Sequence, residues 1–268
     1  MAEARTLTCW AEFESELARL QAKRDEFDWS LSAKSPLLFR GRSNADWPLS
    51  TTLERYTTKI VDFDEYLRTI SATAPAVESL TNKEWRVPDY SDLAEWARKS
   101  SSPWLSSLPA YPYLVYLRHH GFPSPLLDWS ASPYVAAFFA FRTRSASPVA
   151  IYAYLETTGQ GKSSMGSEPM IHTEGPYVTT HARHVLQQCQ YTICTRFIDE
   201  RLFVAKHDDV FQRNDSRQDL LWKLVLPAEE RVNVLRRLDM YNLNAFSLFQ
   251  TEDALLETMA LREIDFDE

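Results

Sequence analysis

Two short blocks of this sequence hold the side chains with the most evident chemical use. The first, Leu37-Leu38-Phe39-Arg40-Gly41, reads as a short buried strand ending on a glycine, with Arg40 at its tip. A guanidinium keeps its proton, so one held indoors without an anion costs roughly several kcal/mol and must find a partner. That partner is either an in-chain carboxylate, Asp46 or Asp128, or the phosphate of a ligand, which the planar fork of an arginine suits. The second block, Leu127-Asp128-Trp129-Ser130-Ala131-Ser132-Pro133, places Asp128, Ser130 and Ser132 on one face if the segment is extended, a face able to hold a ribose or a carboxamide. Ser132 followed by Pro133 also reads as the N-cap and first position of a helix running through Ala136, Ala137, Phe139 and Ala140.

The remaining chemistry-bearing residues are read more conservatively. His119 and His120 are adjacent, point in different directions on a helix and lack an HxxxH spacing, so a packed histidine at a helix C-terminus is the preferred reading. Trp47, Trp85, Trp104 and Trp222 are taken as core or rim packing before stacking platforms. There is no GxGxxG, P-loop, HExxH, GxSxG or EF-hand spacing, which leaves dinucleotide-fold redox, P-loop hydrolysis and zinc peptidase chemistry without a motif. Cys9, Cys189 and Cys194 form no CxxC pair, and this favours reduced, mostly buried thiols over a disulfide framework or a metal site.

The positioning elements follow from periodicity. Trp10, Phe13, Leu17 and Leu20 mark an amphipathic helix over 10–27; Phe63, Tyr66, Leu67 and Ile70 mark another over 62–73. A helix is predicted over 89–99, followed by a Ser/Pro-rich loop over 100–107. A helix over 113–120 stops at Gly121 and the Pro123/Pro125 pair. Strands are predicted over 149–155, 190–194, 202–205 and 220–226, with a Gly/Ser-rich loop over 159–167 between the first two. Helical segments over 228–238 and 245–249 and an amphipathic helix with Leu255, Leu256, Met259 and Leu261 complete the pattern. Helices dominate the first half and strands the second, which predicts an α+β fold.

The 268 residues and their net charge of −8 suit one domain spanning 1–268 and argue against a general binder of phosphate backbones. Its signature motifs fall in 37–141, its strand-rich part in 148–226 and a helical segment in 228–264. No targeting segment and no apolar run approaching the ~20 residues of a membrane span are seen, so a cytoplasmic location without membrane contact is expected.

The string Phe39-Arg40-Gly41-Arg42-Ser43-Asn44-Ala45-Asp46-Trp47-Pro48-Leu49, followed by His119-His120-Gly121-Phe122-Pro123-Ser124-Pro125-Leu126-Leu127-Asp128-Trp129-Ser130 and then Ser132-Pro133, resembles the FRG domain. Arg183 through Thr192, with its Gln-Gln pair, and Ser247-Leu248-Phe249 are weaker echoes of the same family. The order of FRG motifs is in turn similar to that of ADP-ribosyltransferases of the Arg-Ser-Glu class, an analogy between families. That resemblance implies a mixed or antiparallel sheet core like that of the transferases, with a helical N-terminal half and helical insertions. It implies NAD as substrate, with Arg40 as phosphate anchor. The implied catalytic set is Arg40, Asp128, Ser130 and Gln188, and the implied NAD-binding set is Arg40, Gly41, Trp129, Ser130, Ser132 and Gln190, without a metal. It further implies a macromolecular acceptor, nucleic acid or protein, a toxin or phage-defence setting, and an antitoxin or regulatory protein as partner.

Gln188 or Gln190 stands where those transferases carry a catalytic glutamate, and a neutral amide does not supply its charge. Asp128 or the distant Glu174 would then have to act. Three readings follow: an ADP-ribosyltransferase-like enzyme; a non-catalytic module recognising a nucleotide or nucleic-acid end in the same cleft; and a structural Arg40–Asp128 ion pair, for which Arg40→Ala should cost several kcal/mol by stranding a buried carboxylate.

Overall fold

The computed structural model describes residues 3–88, 108–163, 167–199 and 201–266. The helix expected over 89–99 and the loop after it lie outside the described residues. In chain order the elements are β1 (Glu3–Thr6), α1 (Trp10–Asp25), β2 (Leu37–Arg42), α2 (Thr52–Tyr56), α3 (Phe63–Thr81), α4 (Tyr111–His119), β3 (Leu126–Ser130), α5 (Pro133–Phe141) and β4 (Val149–Thr157). They continue with β5 (Met170–Glu174), α6 (Ala182–Leu186), β6 (Cys189–Ile198), β7 (Arg201–Val204), α7 (His207–Phe211), β8 (Gln218–Leu226), α8 (Arg231–Met240), α9 (Ala245–Phe249) and α10 (Glu252–Ala260).

The strands form one mixed eight-stranded sheet in the order β1-β8-β4-β2-β3-β6-β5, with β7 also pairing β6. β1 runs parallel to β8, and every other pairing is antiparallel. The α+β expectation therefore holds. Strands β1 and β5 and helices α2, α6 and α7 were not foreseen: each is four or five residues long, too short for a period to be read. No described helix is long and apolar enough to cross a membrane.

Two cores lie on one face of the sheet. The first packs α1, α5, α8 and α9 on β2, β4 and β8 through Phe13, Leu20, Phe138, Ile151 and Leu224. The second packs α3 and α4 on β3 and β6 through Leu67, Ile70, Leu114, Leu126 and Tyr191. A third core, with Leu38, Leu127, Trp129 and Tyr154, covers the opposite face, as the alternation of side chains along β2 and β3 requires.

The boundary between the two same-face cores is the seam between β2 and β3. These strands share a single residue pair, Phe39 with Ser130, whereas β2 and β4 pair over six residues from Leu37 to Arg42. The sheet is thus split in its middle, beside Arg40.

α5 is set on that seam by its own ends and by one glycine. Ser132 Oγ accepts from Val135 N–H at 3.3 Å, the expected N-cap, and Pro133 opens the helix. Apolar residues occupy nearly every position after Tyr134, and the helix is buried on most sides. It lies so close to β2 that a Cβ on Gly41 would come within 1.9 Å of the Ala136 carbonyl oxygen and 2.6 Å of the Ala140 nitrogen.

Candidate functional site

A cleft of about 190 Å³ opens at the β2–β3 seam, walled by Arg40, Gly41, Arg42 and Trp47 on one side and by Asp128, Ser130, Phe139, Gln187 and Cys189 on the other. Both signature blocks of the sequence meet there.

By alternation Arg40 shares the face of Leu38, while Asp128 shares that of Leu126. Because β2 and β3 part beyond the Phe39–Ser130 pair, the guanidinium still reaches Asp128: Nη1 donates to the Asp128 carbonyl oxygen at 2.5 Å and lies 2.6 Å from its carboxylate Oδ1. Arg118, at the end of α4, reaches the same carboxylate oxygen at 2.5 Å through Nη2. Burial alone would raise the Asp128 pKa, but Arg118 and Arg40 carry it well below the usual carboxylate range. Asp128 is therefore an anion at any physiological pH, and its side chain keeps 33% of its exposure.

Arg40 and Asp128 do pair, as the structural reading required, yet the pairing does not balance the charge. Arg42 lies two residues along the same strand face and donates to the Pro48 carbonyl at 2.6 Å. Burial, then the neighbouring Arg40 and Arg55, lower its pKa to about 10. Arg55 on α2 is likewise lowered by burial and by Arg118 and Arg40. Arg40 and Arg42 line the cleft with Asp128, the one carboxylate among its described lining residues; Arg55 and Arg118 stand behind it, Arg55 with Glu54 as a nearby counter-charge. The Nε atoms of Arg40, Arg42 and Arg118 are buried with no hydrogen-bond acceptor among the described residues. Like charges brought this close lower one another's pKa, as Arg42 and Arg55 show.

Other residues of the expected set are spent on the fold. Ser130 Oγ donates to the Gln187 carbonyl at 2.8 Å and accepts from Ser132 N–H at 3.0 Å, and the residue is buried. Ser132 caps α5 and does not line the cleft. Gly41 lines it, but its missing side chain is what admits α5. Trp129 is among the residues that line the cleft, while its indole is packed on the opposite face: Nε1 donates to Thr192 Oγ1 at 2.9 Å and the ring stacks on Tyr154. Gln188 is an exposed turn residue with φ +49°, and Gln190 is paired in register with Trp129; neither lines the cleft.

The amide that does line it is Gln187, one residue before. Its Nε2 donates to the Leu248 carbonyl at 3.2 Å, tying the Gln-Gln motif to the closing Ser-Leu-Phe segment. Glu174 lies opposite Tyr191 on β5, while Asp128 lies opposite Tyr191 on β3, which puts the two carboxylates on strands flanking β6. Burial raises the Glu174 pKa to about 7, but it takes no part in the cleft.

His119 is packed, as expected. Its Nε2 lies 2.7 Å from the Tyr191 hydroxyl, and burial lowers its pKa to about 4, so it is neutral. Cys189 reaches the cleft wall, but burial pushes its thiol up to about 12, which leaves it protonated and unreactive. All three cysteines are free, Cys9 half-buried and the other two buried.

Sequence reasoning missed Arg118, Arg42, Gln187 and the outward placement of Trp47. Arg42 carried a signal, since residues i and i+2 of a strand share a face. Arg118 carried none, because only the docking of α4 brings it to Asp128.

Residues 35–148 match the family model of the FRG domain, over a span that contains the arginines, Asp128 and α5. That stretch is similar to the FRG domain. No curated protein and no solved structure was found to match it. The FRG residues supply β2, β3 and α5, while β6 and α6 bring Gln187 and Cys189 to the cleft from beyond the matched span.

Proposed function

We propose that the FRG domain binds NAD by its diphosphate at Arg40 and Arg42, and passes ADP-ribose to a macromolecular acceptor, nucleic acid or protein, as an effector of the toxin or phage-defence kind. One observation carries the reading: an open cleft lined by two arginines, Arg40 and Arg42, against a single carboxylate, Asp128. A diphosphate brings the missing negative charge, and Arg40 and Arg42 on one strand face can each meet an oxygen with the planar fork that favours phosphate. An arginine drawn to phosphate still leaves Asp128 held by Arg118 at 2.5 Å.

In such a transfer the bond between ribose and nicotinamide breaks, and positive charge grows on the sugar carbon. An ionised carboxylate near that carbon lowers the barrier, and loss of one such aimed group typically costs on the order of 10²–10³ in rate. Asp128 is the residue of the cleft with that charge. Gln187 lines the cleft wall but its amide is engaged by Leu248 and Cys189, and it contributes no charge.

A specific observation favours a second reading, a recognition module that binds a nucleotide or nucleic-acid end without turnover. Asp128 is gripped by two arginines, which cancel much of its field, and no glutamate lines the cleft among the described residues.

The test pairs binding with turnover. Purified protein is titrated calorimetrically with NAD and ADP-ribose, then incubated with labelled NAD and cell lysate while nicotinamide release and label transfer are followed. Saturable binding with release that Asp128→Asn abolishes supports the transferase. Binding that survives Asp128→Asn without any release supports the module. Absence of NAD and ADP-ribose binding overturns both.

A further inference from the structure

Trp47 stands out against its own loop. Ala45 and Leu49 are buried on either side, yet the Trp47 side chain faces outward with 51% of its surface exposed. Leaving the largest apolar side chain in water forgoes much of the stabilisation that its burial would give. Single exposed hydrophobics are common on proteins, but this one lines the cleft beside Arg40 and Arg42.

The ring is also held still. The Arg42 guanidinium lies over it at 5.7 Å from the ring centroid and donates to the Pro48 carbonyl at 2.6 Å, which ties the next residue of the loop. Asn44 Oδ1 accepts from Asp46 N–H at 2.8 Å, and Ala45 N–H donates to the Pro148 carbonyl at 2.8 Å. Among the described residues no second aromatic ring packs on Trp47. One flat face is backed by a cation, and the ring stands next to phosphate-seeking arginines on a loop fastened at three points.

We propose that Trp47 is the platform on which the base of the bound nucleotide stacks. The proposal rests on the cleft being a phosphate site and adds to it the recognition of an aromatic base next to that phosphate. Stacking is tolerant of base identity, because every base has a π-face. The site therefore selects base-bearing phosphates over sugar phosphates, and ranks bases only by stacking strength.

The experiment compares three probes, pyrophosphate, ribose 5-phosphate and AMP, on the wild-type chain and on the Trp47→Ala and Trp47→Phe variants by calorimetric titration. Because Trp47 is exposed, both variants should melt within about 2 °C of wild type, as surface substitutions usually do. Wild type should bind AMP on the order of tenfold more tightly than ribose 5-phosphate. Trp47→Ala should lose about that factor for AMP alone, keep its affinity for pyrophosphate and ribose 5-phosphate, and be largely rescued by Trp47→Phe. If wild type binds pyrophosphate but takes AMP no better than ribose 5-phosphate, or if Trp47→Ala weakens all three alike, the platform is overturned while the phosphate site stands. If wild type binds none of the three, the phosphate site is overturned and the platform with it.

Discussion

Two clusters of partly or wholly buried charge among the described residues are built on opposite plans. Around Lys162 the cluster is closed. Lys162 Nζ donates to Asp219 Oδ1 at 2.6 Å and to the Ile171 carbonyl at 2.5 Å, with Glu156 Oε1 at 3.4 Å, and the Tyr154 hydroxyl donates to Asp219 at 2.6 Å. Lys162 and Asp219 keep only 2% and 3% of their side-chain exposure. Carboxylates exceed cations there, and burial, only partly opposed by Lys162, raises the Asp219 pKa. Around Arg40 the cluster is open, cations are in excess, and the carboxylate is driven the other way. The same ion-pair chemistry ties the Gly/Ser-rich loop to β8 where Lys162 and Asp219 are almost wholly buried, although Asp219 Oδ2 has no hydrogen-bond partner among the described residues. Where the sheet is split, that chemistry leaves Arg40 and Arg42 facing an open cleft.

That contrast can be broken at several points. The largest effect is expected from Lys162→Met, which leaves Asp219 buried without its cation: unfolding in urea should show a loss of about 3–5 kcal/mol, with affinity for phosphate ligands unchanged. A loss below 1 kcal/mol would mean that the closed cluster is no tighter than a surface pair.

In the open cluster, removal of either arginine should cost less, about 1–2 kcal/mol for Arg118→Ala or Arg40→Ala by the same measurement, because Asp128 retains the other arginine and is partly solvated. The larger cost expected for Arg40→Ala from sequence presupposed a carboxylate with one partner and full burial. If the two variants prove as costly as Lys162→Met, the pair is structural and the cleft loses its case.

Acid separates the clusters by sign. Asp128 has its folded pKa depressed, so its contribution is complete above the ordinary carboxylate range near pH 4 and fades as the pH falls toward the folded value. Asp219 has its folded pKa raised, so its ionisation opposes folding at neutral pH, and that cost is relieved as the pH falls through the folded value. Melting temperatures measured from pH 6 to pH 2 should fall less steeply for Asp128→Asn than for wild type; an equal or steeper fall would contradict the depressed pKa. The smallest effect concerns His119, lowered to about 4 by burial: its imidazole NMR resonances should not shift between pH 8 and pH 5.5.

How far the site was legible depended on the range of the interactions that form it. A buried strand carrying Arg40, Ser132 as a cap and the burial of the following helix on most sides are local facts, and the structure bears them out, except that the strand runs past the glycine to Arg42 and does not end at Arg40. Ser130 was assigned to a ligand because alternation tells which residues share a face but not what each hydroxyl will meet, and Trp129 was assigned through the family resemblance. Trp129 faces the core of Tyr154, and the Ser130 hydroxyl is used up by Gln187 and Ser132. Of the two glutamines expected at the site, Gln188 and Gln190, neither lines the cleft: the turn at Gln188, with its positive φ, sends that side chain outward, and Gln187 lines the cleft instead.

By itself the sequence determined the elements that a period, a cap or a proline can specify, the α+β class, and the presence of a permanent charge at the tip of a buried strand. Only the tertiary structure decided that β2 and β3 part after one residue pair, that Arg118 arrives from α4 to share Asp128, and that Trp47 faces outward over Arg42. The reason is physical: propensity and periodicity act within a few residues, whereas the balance of charge in a cleft is a sum over groups brought together from β2, α2, α4 and β3, and no local rule contains that sum.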